Sequence, residues 1–182
     1  MIIKIMTLFS KKIILIMGLF LGIVFGSSFY TDSAMKEIYF PAIVTSSSGK
    51  EIDVAALAKT HTMVVISIKA TWCPVCRQQL QRIKEQLSDF EKCKASFLVL
   101  SPGSNETVQE VKFNTDFPFP FIADQNFSIA KELDLILSPK EIMPAIVILN
   151  KDLSVKWIQK GRNALNFGDA ELKEYLGCAN WI

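Results

Sequence analysis

The sequence predicts one α/β domain built on a mixed sheet, and three observations carry the prediction. Short β-branched runs alternate with amphipathic helical stretches through the first half of the chain. Two later strand-type runs, Ala145 to Leu149 and Val155 to Lys160, are joined by the turn Asn150-Lys151-Asp152, so they return antiparallel. Finally, Trp72-Cys73-Pro74-Val75-Cys76 sits where an apolar strand turns into an amphipathic helix.

Residues 1–28 read as a targeting segment. They hold Lys4, Lys11 and Lys12 and no acidic residue, then the apolar run Ile13 to Phe25, then Gly26-Ser27-Ser28. As a helix that run spans ~20 Å, short of a ~30 Å hydrocarbon core. Extending it through Tyr30 nearly closes the gap. The segment is a cleaved signal or an uncleaved membrane anchor, and either form puts the domain outside the cytoplasm, in the periplasm or on the outer face of the cytoplasmic membrane. Residues 29–37 follow as a polar linker, and 38–182 as the domain, long enough for a sizeable core. The 20 basic residues fall to 17 once the three leader lysines are set aside, against 18 acidic ones, a balance of about −1. The remaining basic side chains are interleaved with acids and glutamines, so no nucleic-acid partner is expected.

Within the domain, Ser46-Ser47-Ser48-Gly49 reads as a hairpin turn, and Val64 to Ile68 as a buried strand. The helix after Cys76 puts Leu80, Ile83, Leu87 and Phe90 on one face, and Pro74 suits its first turn, where no backbone donor is needed. Ala95 to Leu100 is a second strand, stopped by Ser101-Pro102-Gly103. Asn105 caps a helix through Phe113, and Asp124 another to about Leu133. A last helix runs from Asp169 to Leu176 and ends at Gly177. The aromatic stretch from Phe113 to Phe121 either fills the core beneath a long loop or forms a contact surface.

The two active-site cysteines carry the chemistry. A thiolate at a helix start gains from the dipole and from unpaired N–H groups, so Cys73 ionises more readily than an ordinary cysteine. One turn on, Cys76 attacks the mixed disulfide that Cys73 forms with a substrate, leaving an oxidised Cys73–Cys76 pair. A zinc site would need two more ligands at matching spacing, but Cys93 and Cys178 are isolated and His61 is the single histidine, so no metal is expected. A purely structural Cys73–Cys76 bond would cross-link almost no chain.

ATWCPVCRQQL, with a strand before it and a helix after it, resembles the active site of the thioredoxin superfamily. FPAIVTSSSGKEIDVAALAK, TMVVISIKATWCPVC, FPFIADQNFSIAKELDL and MPAIVILNKD resemble blocks of TlpA-like and AhpC/TSA-type redoxin domains, so the likeness runs from Phe40 to Leu176. It implies a thioredoxin-like fold, a mixed central sheet with helices on both faces, and no cofactor. It also implies that Cys73 and Cys76 are catalytic and that Met143-Pro144, with a cis peptide bond, packs beside them. A proline there has no N–H to give to its own sheet, which leaves the local backbone to pair with an extended substrate. Trp72 joins Met143 and Pro144 as a substrate-contacting residue, or is a half-buried packing residue; Thr71 and Lys69 are weaker candidates. Thioredoxins carry a buried acid six residues before the first cysteine, where this chain has Ser67. In that fold the ends of the helices before Cys93 and Cys178 are neighbours, so these two form a candidate structural disulfide or remain free thiols.

The resemblance implies an extracytoplasmic thiol-disulfide oxidoreductase, a reductant of exported protein disulfides, because Pro-Val supplies no histidine to stabilise a thiolate. Its partners would be protein thiols and disulfides and a membrane or extracytoplasmic electron donor. A peroxiredoxin-type peroxidase is the alternative enzyme. That family places a threonine three residues before its peroxide-attacking cysteine and a proline four further back, whereas Thr71 is two before Cys73 and no proline precedes. A third reading is a binding module of the same fold without turnover.

Overall fold

The computed structural model describes residues 37–161 and 169–177. Contacts divide the chain into Met1–Lys36 and Glu37–Ile182, and every described residue lies in the second unit. The targeting segment, most of the linker and Cys178 therefore lie outside the described residues. Among the described residues no helix is long and apolar enough to cross a membrane.

Strands β1 (Ile43–Thr45) and β2 (Glu51–Asp53) form an antiparallel hairpin, as the Ser-Ser-Ser-Gly turn predicts. Gly49 supplies the left-handed residue of the turn at φ +80. Asp53 accepts the Ala56 N–H at 2.8 Å and so caps α1 (Val54–Thr60). There follow β3 (Thr62–Ser67), α2 (Pro74–Glu85), α3 (Leu87–Lys92), β4 (Ala95–Ser101), α4 (Asn105–Thr115), β5 (Phe121–Ala123) and α5 (Ser128–Glu132). A small hairpin, β6 (Ile136–Ser138) and β7 (Glu141–Ile142), precedes β8 (Ala145–Leu149), β9 (Val155–Lys160) and α6 (Asp169–Leu176).

The main sheet has the order β5-β4-β3-β8-β9. β3, β4 and β5 are parallel, while β8 runs against β3 and β9 against β8. This is the mixed sheet that the closing hairpin predicts. Alternation along the strands builds two cores. Val64, Ile66, Phe97, Val99, Ile146 and Ile148 meet Leu80, Ile83, Phe90, Val108, Val111 and Leu172 from α2, α3, α4 and α6. On the other face Met63, Val65, Leu98, Leu100 and Val147 meet Val54, Ala58 and Ala130 from α1 and α5. Helices thus cover both faces.

Several expectations are corrected. The single helix expected after Cys76 breaks at Gln86, which adopts φ −109 and ψ 10, yet Leu80, Ile83 and Phe90 are all fully buried. The apolar spacing alone did not reveal the break. Asp124 does not begin its helix directly. Its buried carboxylate reaches forward to Ser128 Oγ, the Ile129 N–H and the Ala130 N–H, at 3.1, 3.3 and 2.8 Å. Strand β5 and the β6–β7 hairpin are additions. Of the aromatic stretch, Phe117 and Phe121 are core residues, whereas Phe113 stands 85% exposed.

Cys93 is disulfide-bonded, and its expected partner Cys178 lies outside the described residues. Close by, Lys173 of α6 donates to Asp89 of α3 at 2.8 Å. That bond, then the one from Lys92, holds the Asp89 carboxyl below the usual carboxylate range. A depressed folded-state value means the contribution is present above the unfolded value and is lost as pH falls through the folded one. Carboxyl NMR should find Asp89 titrating low, and Lys173→Ala should move it back toward the ordinary range. Little stability should change, because both side chains are only half-buried and solvent screens the pair. An unmoved midpoint would show that the pairing is not made in solution.

Candidate active site

Strand β3 ends at Ser67 and hands the chain to the site loop: the Ile68 N–H is still held by Leu100 C=O at 2.9 Å, and the Cys73 N–H by Ala70 C=O at 3.1 Å. Cys73 is the N-cap of α2 and Pro74 its first helical residue, the local arrangement that the sequence predicts. The two cysteines form a disulfide, with 5.3 Å between their Cα atoms. Cys73 Sγ accepts the Cys76 N–H at 3.2 Å, and Cys76 Sγ accepts the Lys69 N–H at 3.3 Å.

Exposure ranks the pair, at 7% for Cys73 and 1% for Cys76. Cys73 is less open than its helix-start position suggests, because in the bonded pair its sulfur is turned toward Cys76. Beside it Trp72 is 61% exposed and does not pack into the core. The Lys69 ammonium stands 5.4 Å from the Trp72 ring centroid and 3.3 Å from Glu141 Oε2 on β7. Arg77 Nη2 donates to Thr71 C=O at 2.9 Å, tying α2 back to the loop. Behind that loop lies Gly103, at φ +118; a Cβ there would stand 3.1 Å from Thr71 Cγ2 and 2.9 Å from Thr107 Oγ1. Only glycine lets the segment after β4 come this close.

The largest departure is at Met143-Pro144. No cis peptide occurs among the described residues, so the Met143–Pro144 bond is trans, the form that X–Pro bonds favour intrinsically. Nor is the backbone free to receive a substrate strand. The Met143 N–H is taken by Leu135 C=O at 2.6 Å, and its own C=O by Ser67 Oγ at 2.7 Å. Leu135, directly before β6, supplies the first contact, and β7 ties the Ile142 N–H to Lys69 C=O at 3.1 Å. Ser67, at the position of the thioredoxins' buried acid, spends its hydroxyl on this loop.

The structure therefore gathers Cys73, Cys76, Trp72, Lys69 and Thr71 at the end of β3, with Met143 and Pro144 on the adjoining end of β8. Sequence reasoning missed Glu141, Arg77 and Gly103. Arg77 sits within the motif's own helix and was open to inference; Glu141 and Gly103 arrive only through tertiary contacts.

Comparisons with known proteins agree with this geometry. The profile of the AhpC/TSA family matches residues 36–158. A peroxiredoxin of Aquifex aeolicus is 31% identical over 84 residues, covering 43% of this chain and 38% of that protein. Peroxiredoxin 2 of Picrophilus torridus is 26% identical over 117 residues, covering 58% of each. The matches thus span less than two thirds of these relatives' length. Among solved structures, the Xanthomonas campestris bacterioferritin comigratory protein, described for alkyl peroxide reduction, superposes with a TM-score of 0.67 at 19% identity, covering 78% of this chain and 97% of that one. A secreted disulfide oxidoreductase of Mycobacterium tuberculosis superposes at 0.58 and 17% identity, covering 74% and 93%. These likenesses show a thioredoxin-like fold. Since the matched residues take in β3, the helix-capping cysteine pair and the sheet into β9, the chain belongs to the AhpC/TSA family.

Proposed function

We propose that this thiol oxidoreductase is an extracytoplasmic protein-disulfide reductase in which Cys73 attacks and Cys76 resolves. The carrying observation is the placement of Cys73 on the N-cap of α2 as the more exposed member of the pair. The Cys73 thiolate attacks one sulfur of a substrate disulfide, forming a mixed disulfide and expelling the other substrate sulfur as a thiolate. Cys76 thiolate then attacks Cys73 Sγ and expels the second. Two electrons pass to the substrate, each released thiolate takes a proton, and the protein is left with the Cys73–Cys76 bond. A membrane or extracytoplasmic dithiol donor must return the electrons. With the Met143 backbone already paired, substrate recognition falls to the exposed Trp72 ring and to the side chains of Met143 and Pro144, not to strand addition.

The peroxiredoxin relatives favour a second reading that ends on the same bond. There the Cys76 thiolate attacks a peroxide oxygen, giving a sulfenic acid and an alcohol or water. Cys73 then condenses with it, releasing water. Three residues before Cys76, where peroxiredoxins carry threonine, this chain has Cys73 itself, and Cys76 is the more buried sulfur. Both points weigh against peroxide attack.

Stopped-flow oxidation of the reduced protein separates the two. Disulfide reduction is expected to proceed with insulin as substrate, while peroxide oxidises the pair no faster than it oxidises a free dithiol. Rapid stoichiometric consumption of peroxide with inert insulin would replace the first reading by the second.

A further inference from the structure

The end of the sheet opposite the disulfide carries the feature that the redox chemistry leaves unused. β3 starts there, with the Thr62 N–H on Lys94 C=O at 2.9 Å, and runs away from it toward Cys73. A cleft of about 640 Å³ opens at this end, bordered by Lys59, Lys94, Lys151 and Lys156. A second, of about 610 Å³, shares Thr60, His61 and Lys94 with it and has the half-buried Leu87 and Phe119 in its lining. All four lysines are exposed, and none makes an ion pair among the described residues. Lys156 lies 5.6 Å over the Tyr175 ring. Two acids border the region: Glu91 lines the apolar cleft, and Asp152 is bonded to Ser154 through its N–H and hydroxyl at 3.0 and 2.7 Å.

The domain's N-terminal attachment is at the same end. Ile38 C=O receives the Val155 N–H at 2.9 Å, and Tyr39 bridges Ser154, both beside the β8–β9 turn that carries Lys151. Residues 29–37 join this point to the lysine-flanked apolar run, and even fully extended they reach only ~30 Å. An anchored chain would therefore keep the basic end of the domain close to the bilayer.

We propose that this basic cleft docks on anionic phospholipid, its lysines on the headgroup phosphates, so that Cys73 and Trp72 face away from the membrane. The proposal rests on the anchored form of the extracytoplasmic reading. It does not depend on which thiol chemistry the pair performs.

The test uses the full chain in nanodiscs of phosphatidylcholine, with or without phosphatidylglycerol, and reads lysine acetylation by mass spectrometry. Lys94, Lys151 and Lys156 should acetylate about five-fold more slowly on the phosphatidylglycerol discs, with protection lost at high salt, as expected for a surface lysine near anionic lipid. Lys140, exposed in the β6–β7 turn, should label equally on both. A Lys94→Glu, Lys151→Glu variant should lose the protection of Lys156 while the Cys73–Cys76 pair still turns over. Equal labelling on the two discs, with the protein retained on them, overturns the docking surface and spares the anchor. Protein that elutes apart from the discs overturns the anchor and the docking surface with it. Protection by inorganic phosphate or an oligonucleotide, but not by phosphatidylglycerol discs, would reassign the cleft to a soluble anion.

Discussion

Cys73→Ser is expected to abolish turnover with disulfide substrates, by on the order of a thousandfold or more, the scale at which loss of a reacting nucleophile registers. It should accumulate no adduct. Cys76→Ser should also stop turnover, but by trapping a mixed disulfide through Cys73, recoverable by mass spectrometry and released by added dithiol. The asymmetry follows from position. Cys73 sits on the N-cap, where the helix dipole and the Cys76 N–H that its sulfur accepts favour its thiolate, while Cys76 lies one turn inside at 1% exposure. Alkylation of the reduced protein near neutral pH should label Cys73 first for the same reason. If Cys76 labelled first, or Cys73→Ser trapped partners while Cys76→Ser turned over, the attacking and resolving roles would have to be exchanged.

Phe97→Ala is expected to cost about 3–5 kcal/mol, the range for emptying a fully buried aromatic site. Phe97 is 1% exposed in the middle of β4, and its ring meets Phe90 at 5.3 Å, Phe117 at 6.1 Å and Phe119 at 5.1 Å. Removing it takes away an edge-to-face partner from three rings, one on α3 and two on the loop between α4 and β5. The fixed strand backbone leaves little room for collapse into the void. For a domain of this size Tm should fall by roughly 10–15 °C in thermal unfolding followed by circular dichroism. Phe113→Ala is the matched control, since its ring is 85% exposed and its loss should change stability by no more than ~0.5 kcal/mol. Equal effects at the two positions would mean that the cluster is not the packing centre of that face.

The aromatic stretch also shows where reading a sequence stops. Phe113, Phe117 and Phe121 recur every four residues. That spacing does not reveal that α4 ends at Thr115, turning one phenylalanine to solvent and two into the core. Likewise the face Leu80, Ile83, Leu87 and Phe90 was legible as apolar, but not the break at Gln86, because burial patterns survive a kink that keeps each side chain over the same core.

The sequence by itself determined the strand-to-helix junction at Cys73, the closing β8–β9 hairpin, the antiparallel first hairpin and the last helix. Each of these rests on local chemistry: a proline allowed in a first turn, turn residues between apolar runs, a glycine beyond a helix end. Only the tertiary structure decided the surroundings of the pair. Glu141 reaches Lys69, Gly103 admits Thr71, and Ser67 and Leu135 consume the Met143 backbone that was expected to await a substrate. Three of these contacts join residues far apart in the chain, and the fourth, Leu135 to Met143, closes over the β6–β7 hairpin, whose short, half-exposed strands carry almost no periodic signal. Hydrogen bonding between distant backbone groups follows from where the sheet places them, and that placement is a property of the whole packed core, not of any local run of residues.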